Sequence, residues 1–196
     1  MPRYSDLDAY VDAETGVLKN LLGIQDQASL EAAEADLVAV RSLELAISPV
    51  LGSFDLEHLK KIHWHLFRDV YAWAGELRTV DISKGDNRFA HHGFLESAAR
   101  PIFERLAAEN YLAGLDADGF CARTAYYLGE LNALHPFREG NGRTQREFMQ
   151  LLARKNGYLL LWKKTSRAEF FRASIASFRG DLTSLTAIIG VCLCDA

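Results

Sequence analysis

The chain is poor in cysteine, in uninterrupted apolar sequence and in excess charge of either sign, and each shortage removes a class of function. Cys121, Cys192 and Cys194 are the only thiols among 196 residues. They form an odd set without a metal-ligand array, so inert thiols in a reducing cytosol are expected rather than a disulfide framework. No stretch approaches the ~20 apolar residues that a bilayer span requires. The longest candidate, Leu185 to Leu193, is short and broken by Gly190. Met1 to Tyr10 lacks a basic segment followed by an apolar run, which points to a soluble, cytoplasmic protein without a membrane partner. A formal net charge of -4 and a pI near 5.9 argue against a broad basic footprint on nucleic acid or anionic lipid, and favour protein or nucleotide partners. No repeat, low-complexity tract or linker is visible, so residues 1–196 read as a single domain.

What is present is enough for a core: 49% of residues are hydrophobic and 24% charged, the balance of one globular domain. Apolar residues at helical spacing, Leu30, Ala33, Leu37, Val40 and Ile47, predict an amphipathic helix over about Ser29 to Ala46, stopped at Ser48-Pro49. Asp55 is placed to cap the next helix, whose apolar pattern runs through Trp73 to a terminator at Gly75. From Glu76 to Phe89 the pattern breaks around Lys84-Gly85-Asp86-Asn87, predicting a small exposed hairpin or flap. Helical spacing resumes from Gly93 to Asn110, with a bend or restart expected at Pro101, and again from Asp118 to Leu134. A further helix is predicted over Thr144 to Lys155, and Ser166 with Glu169 has the spacing of a capping box. Gly180-Asp181 separates that helix from a last apolar one. The expected class is all-α, a helical bundle with a small β-hairpin flap.

Between two of these helices lies the densest chemistry in the chain, His135-Pro136-Phe137-Arg138-Glu139-Gly140-Asn141-Gly142-Arg143-Thr144-Gln145-Arg146. Gly140 and Gly142 let backbone approach a ligand closely, and amides at a helix N-terminus face anions. Arg143 and Arg146, three apart, can both reach the side of the first turns and suit bidentate phosphate contact. Glu139 beside them would oppose phosphate unless a hard cation such as Mg2+ bridges the two; a plain surface carboxylate near a helix start is the other reading. Asn141 can orient either a phosphate or the loop itself. His135 is the one side chain here suited to take a proton near neutral pH, so it is the candidate base. The run lacks the Gly-x4-Gly-Lys spacing of a Walker A loop and follows no strand. These residues describe a phosphate-handling helical enzyme and leave open which phosphate bond breaks.

The stretch resembles the Fic family, also called Fido, whose motif is His-x-Phe-x-Asp/Glu-Gly-Asn-Gly-Arg-x-x-Arg. His135, Phe137, Glu139, Gly140, Asn141, Gly142, Arg143 and Arg146 fill every fixed position. The likeness implies a helical core over about residues 26–193, a flap at 76–89 and an active-site loop at 135–146. It further implies that His135 deprotonates a target hydroxyl, that Glu139 holds Mg2+, and that Asn141 and Arg143 hold nucleotide phosphates. Gly140 and Gly142 would form the anion cradle, Arg146 would engage the γ-phosphate and Phe137 would anchor the loop. The implied reaction transfers AMP from ATP to a Ser, Thr or Tyr hydroxyl of a target protein. The flap, with Ile82, Ser83, Lys84 and Gly85, would pair with the target's backbone.

Relatives are commonly restrained by a helix bearing Ser/Thr-x-x-x-Glu-Gly/Asn. Ser53 reaches Glu57 but His58 follows, and Thr165 reaches Glu169 but Phe170 follows, so the pattern is incomplete. The resemblance therefore implies the toxin half of a two-component module, with the inhibitory helix on a separate small antitoxin and type II topoisomerase ATPase subunits among the targets of such toxins. Transfer of a phosphoryl, UMP or phosphocholine group, and a non-enzymatic interaction module, are the competing readings.

Overall fold

Asp26, Asp55, Asp116 and Ser166 each accept a hydrogen bond from the backbone N–H three residues on, and each thereby starts a helix. Glu169 returns the bond to Ser166, completing the capping box. The structure, a computed structural model, describes residues 8–84 and 87–196. Among them the helices are α1 Gln27–Ile47, α2 Leu56–Phe67, α3 Leu95–Ala108, α4 Ala117–Leu134, α5 Asn141–Lys155, α6 Arg167–Phe178 and α7 Thr183–Cys192. The flap is the antiparallel pair β1 Ser83–Lys84 and β2 Asn87–Arg88, in the register Ser83 to Arg88. The chain is thus an all-α bundle carrying a small hairpin. A second short pair, β3 Tyr158–Leu160 with β4 Leu193–Asp195, was not anticipated; three-residue strands are too short to show alternation.

Helix α4 packs against α3, α5, α6 and α7, while α2 packs against α1, α3 and α5. Leu59, Ile62, Phe67, Phe120, Phe148 and Leu152 are fully buried between them, each stabilising the fold by about 2 kcal/mol through burial. Gln145 Nε2 donates to the Leu131 carbonyl at 3.0 Å, tying the start of α5 to the end of α4. No helix among the described residues is long and apolar enough to cross a membrane.

Several expectations are corrected. Helix α1 buries Leu30, Glu34, Val38 and Leu45, whereas Val40 and Ile47 are 55% and 87% exposed. The buried stripe is rotated because it runs through a carboxylate that the interior pairs. Helix α2 ends at Phe67 rather than Trp73; residues 68–75 are turns that still bury Val70 and Tyr71, so apolar content alone could not separate the two. Gly75, at φ +83, closes those turns against α2, where a Cβ would stand 2.9 Å from that of Trp64. Pro101 lies inside α3, which continues as one helix to Ala108; the missing donor does not end it. Helix α4 starts just before Asp118, and α5 starts at Asn141, three residues before Thr144. That last shift places motif residues in the first turn of α5.

Candidate active site

The loop joining α4 to α5 is shaped by two left-handed residues. His135 ends α4 at φ 46, ψ 62, its N–H donating to the Leu131 carbonyl, and Gly140 precedes α5 at φ 81. Left-handed backbone is costly for histidine, and such cost tends to concentrate at functional positions. Gly140 has a second requirement: a Cβ would stand 2.3 Å from Cζ of Phe67. Gly142 is exposed with no protein atom within 4 Å of a Cβ position. Its missing side chain therefore serves no packing need and leaves the first-turn amides uncovered. The first intrahelical bond runs from the Thr144 N–H to the Gly140 carbonyl at 3.1 Å, so the amides of Asn141, Gly142 and Arg143 precede the ladder and favour an anion.

Asn141 is turned inward. Its Oδ1 accepts from the Phe137 N–H at 2.9 Å and its Nδ2 donates to the Phe137 carbonyl at 2.7 Å. It is 3% exposed, so of the two roles open to it the side chain takes that of shaping the loop. Phe137 is buried and stacks on His63, with centroids 3.9 Å apart. His63 accepts at Nδ1 from the Gly75 N–H (2.8 Å), so its Nε2 carries the proton donated to the Glu139 carbonyl (3.0 Å). Burial pushes its pKa down to about 3, keeping that donor arrangement neutral.

His135 has its Nδ1 3.2 Å from the Asn132 carbonyl. A carbonyl only accepts, so Nδ1 donates to it, the tautomer that in a neutral imidazole puts the lone pair on Nε2. The ring lies on Phe89, which leaves the flap just after β2, with centroids 3.8 Å apart and planes 18° apart. Glu139 is half-exposed; its Oε1 accepts from the Gly140 N–H at 2.8 Å and lies 3.4 Å from Arg143 Nη2. Arg143 also pairs with Glu34 and lies over the Phe67 ring. Arg146 has its Cζ 5.7 Å from the Phe170 ring centroid, with no hydrogen bond or ion pair among the described residues. Burial and the nearby Arg143 charge pull its pKa below the usual arginine value, the condition of a cation that gains from an anionic ligand.

The flap is anchored at its feet. Arg78, fully buried, donates to the carbonyls of His135 (2.8 Å), Val80 (2.8 Å), Ala90 and Leu134 (3.4 Å), and its N–H donates to the Pro136 carbonyl. One guanidinium thus caps α4, holds both ends of the flap and touches the backbone of the candidate base. Asp81 accepts from the His92 N–H and faces the rings of His91 and His92. Ile82 is half-buried, Ser83 is exposed and Lys84 pairs through its backbone with Asn87. Gly85 lies outside the described residues.

The structure places His135, Glu139, Gly140, Asn141, Gly142 and Arg143, singled out in the sequence, in one loop and the helix start that follows it. The sequence pattern did not single out Arg78, His63, Phe89, Glu34 and Tyr71. The available signals were polar residues on apolar faces: Glu34 four residues after Leu30 and four before Val38, and His63 beside Ile62 and Leu66.

Comparison with known proteins places this geometry in a family. Residues 53–153 match the model of the Fic/DOC family. Over 182 residues the chain is 54% identical to the protein adenylyltransferase VbhT of Bartonella schoenbuchensis, covering 93% of this chain but only 38% of that relative. It is 36% identical to the protein called "Probable protein adenylyltransferase Fic" of Escherichia coli strain K12, covering 96% of this chain and 94% of the relative. Among solved structures, the N-terminal Fic domain of a VirB-translocated Bep effector of Bartonella quintana, with ADP bound, superposes with a TM-score of 0.88 at 28% identity, covering 95% of this chain and 94% of that one. BepC of Bartonella tribocorum, with AMPPNP bound, also reaches 0.88 at 25% identity, over 95% and 97%. With its motif complete and its fold shared over nearly its whole length, the chain belongs to the Fic/DOC family.

Proposed function

We propose that this chain is a protein adenylyltransferase that moves AMP from ATP to a Ser, Thr or Tyr hydroxyl of a target protein. The observation that carries the reading is the uncovered N-terminus of α5, with Gly142 open above it, standing one loop away from a histidine whose Nδ1 is committed to a carbonyl. Nucleotides bound to the related Fic domains of Bartonella quintana and Bartonella tribocorum support it.

In this reading Gly140 and Gly142 open a cradle in which the first-turn amides of Asn141, Gly142 and Arg143 and the guanidiniums of Arg143 and Arg146 hold the phosphates, and the Asn141 side chain keeps the loop in the shape that presents them. Nε2 of His135 takes the target hydroxyl's proton as the oxygen attacks the α-phosphorus and pyrophosphate leaves. Positioning and charge neutralisation supply most of the rate, since the nucleophile needs little more than alignment. Glu139, a half-exposed carboxylate beside the amides, fits a magnesium ion, which accepts one protein oxygen together with phosphate oxygens and water. When bound, that ion neutralises charge on the phosphates. The flap, through the positions Ile82, Ser83, Lys84 and Gly85, pairs with an extended target segment and sets which hydroxyl reaches His135.

The proposal extends to biology. The incomplete Ser/Thr-x-x-x-Glu-Gly/Asn patterns within these 196 residues and the lack of an ion pair on Arg146 among the described residues support control by a separate small antitoxin whose glutamate occupies that arginine. A cytoplasmic toxin acting on a protein such as a type II topoisomerase ATPase subunit is the corresponding target reading.

The test is incubation of purified protein with lysate and ATP labelled at the α or the γ position. Protein labelled from the α position only is expected; label from γ only would replace AMP transfer with phosphoryl transfer.

A further inference from the structure

Arg143 and Arg146 leave α5 three residues apart, yet among the described residues only Arg143 is paired with a carboxylate. Arg143 Nη2 lies 2.6 Å from Oε1 of Glu34, a residue of α1 that is 7% exposed. The other Glu34 oxygen accepts the Tyr71 hydroxyl, and the guanidinium rests on Phe67, 4.7 Å from the ring centroid. Both carboxylate contacts of Arg143, to Glu34 and the longer one to Glu139, fall on Nη2.

A carboxylate in this position has two possible effects on an anionic ligand: it can compete for the arginine, or it can hold the arginine in place. The geometry favours the second. A competitor must withdraw when ligand arrives. Glu34 is fixed in the middle of a 21-residue helix, on its buried face between Leu30 and Val38, and withdrawing would leave a buried charge and the Tyr71 hydroxyl without partners. It also engages one corner of the guanidinium, so the rest of the fork keeps its donors for phosphate. A planar cation held at one corner and stacked on one face has little rotational freedom left to lose on binding.

We propose that Glu34, braced by Tyr71, is a positioning residue that fixes Arg143 for nucleotide phosphate and does not compete with it. This rests on the nucleotide reading above. The partnership places a determinant of nucleotide affinity on α1, outside the motif.

Calorimetric titration with ADP, together with AMP-transfer kinetics, tests it on the wild-type chain, Glu34→Gln, Tyr71→Phe, Arg143→Ala and the Glu34→Gln/Arg143→Ala pair. Glu34→Gln is expected to weaken ADP affinity and raise the KM for ATP roughly tenfold, with kcat changed less than about threefold. Tyr71→Phe should act in the same direction by roughly two- to threefold. In the Arg143→Ala background, Glu34→Gln should add nothing, because the effect passes through that arginine. Unchanged or tighter ADP binding in Glu34→Gln overturns the proposal, the tighter case by showing a competitor. Should that variant fail to fold, unchanged ADP affinity in Tyr71→Phe overturns it equally. Wild-type protein that binds no ADP removes the nucleotide reading itself; wild-type binding matched by Glu34→Gln removes only this inference.

Discussion

The loop of residues 135–146 and the flap are neighbours built on opposite principles. In the loop, buried groups meet one another: Asn141 closes on Phe137, His63 supports Glu139, and Gly140 seats on Phe67. In the flap, two strands of two residues pair, among the described residues, with each other alone, and order is supplied at the feet by Arg78 and Asp81. The difference suits the chemistry proposed for each. A site that stabilises developing charge gains from donors that need no reorganisation, whereas a surface that accepts varied backbone segments gains from an open edge. Among the described residues the two regions touch through the Phe89–His135 ring stack and through Arg78.

The sharpest way to break the comparison is at the base. His135→Ala should lower AMP transfer by ~10²–10⁴-fold while leaving the melting temperature and ADP affinity close to wild type. Equal transfer by the variant in a labelled-ATP assay would remove the histidine from the reaction. Arg78→Met, which leaves several buried carbonyls without a donor, should cost about 3 kcal/mol in urea unfolding and loosen loop and flap together. A loss confined to one region would show that the two are not coupled through this residue.

Asn141→Ala tests the rigidity of the loop alone. Two buried backbone groups of Phe137 lose their partners, so unfolding free energy should fall by ~1–3 kcal/mol and ADP affinity with it. Acid sensitivity through His63 probes the same loop by pH rather than by substitution. Its folded pKa, about 3, lies below the ordinary 6.5, so in that window the unfolded chain binds a proton that the folded chain excludes. The stabilisation is complete above pH 6.5 and is lost as pH falls toward 3, with a slope of about 1.4 kcal/mol per unit. Stability measured against pH should show this component in wild type and lose it in His63→Gln. Ser83→Ala, on the exposed flap, should change stability by less than about 0.5 kcal/mol; a larger loss would mean the flap is part of the packed core after all.

How much of this was legible in the sequence follows from what sequence patterns encode. The motif residues, the caps at Asp55 and Ser166 and the helical class are local features, and spacing reveals them. The α1 face was misassigned because Glu34 looks solvent-facing until Arg143, more than a hundred residues later, is seen beside it. Arg78 was likewise invisible, since its partners are backbone carbonyls that carry no sequence signal. The start of α5 was placed too late because the left-handed Gly140, rather than a capping side chain, begins that helix.

Titrating the folded wild-type protein with ADP and, separately, with adenosine tests the central claim most directly, because the two ligands differ only in the group that α5's first turn is proposed to hold. ADP should bind at least ~10-fold more tightly than adenosine. Equal affinities, or no heat of binding with either ligand, would contradict a phosphate site at the start of α5.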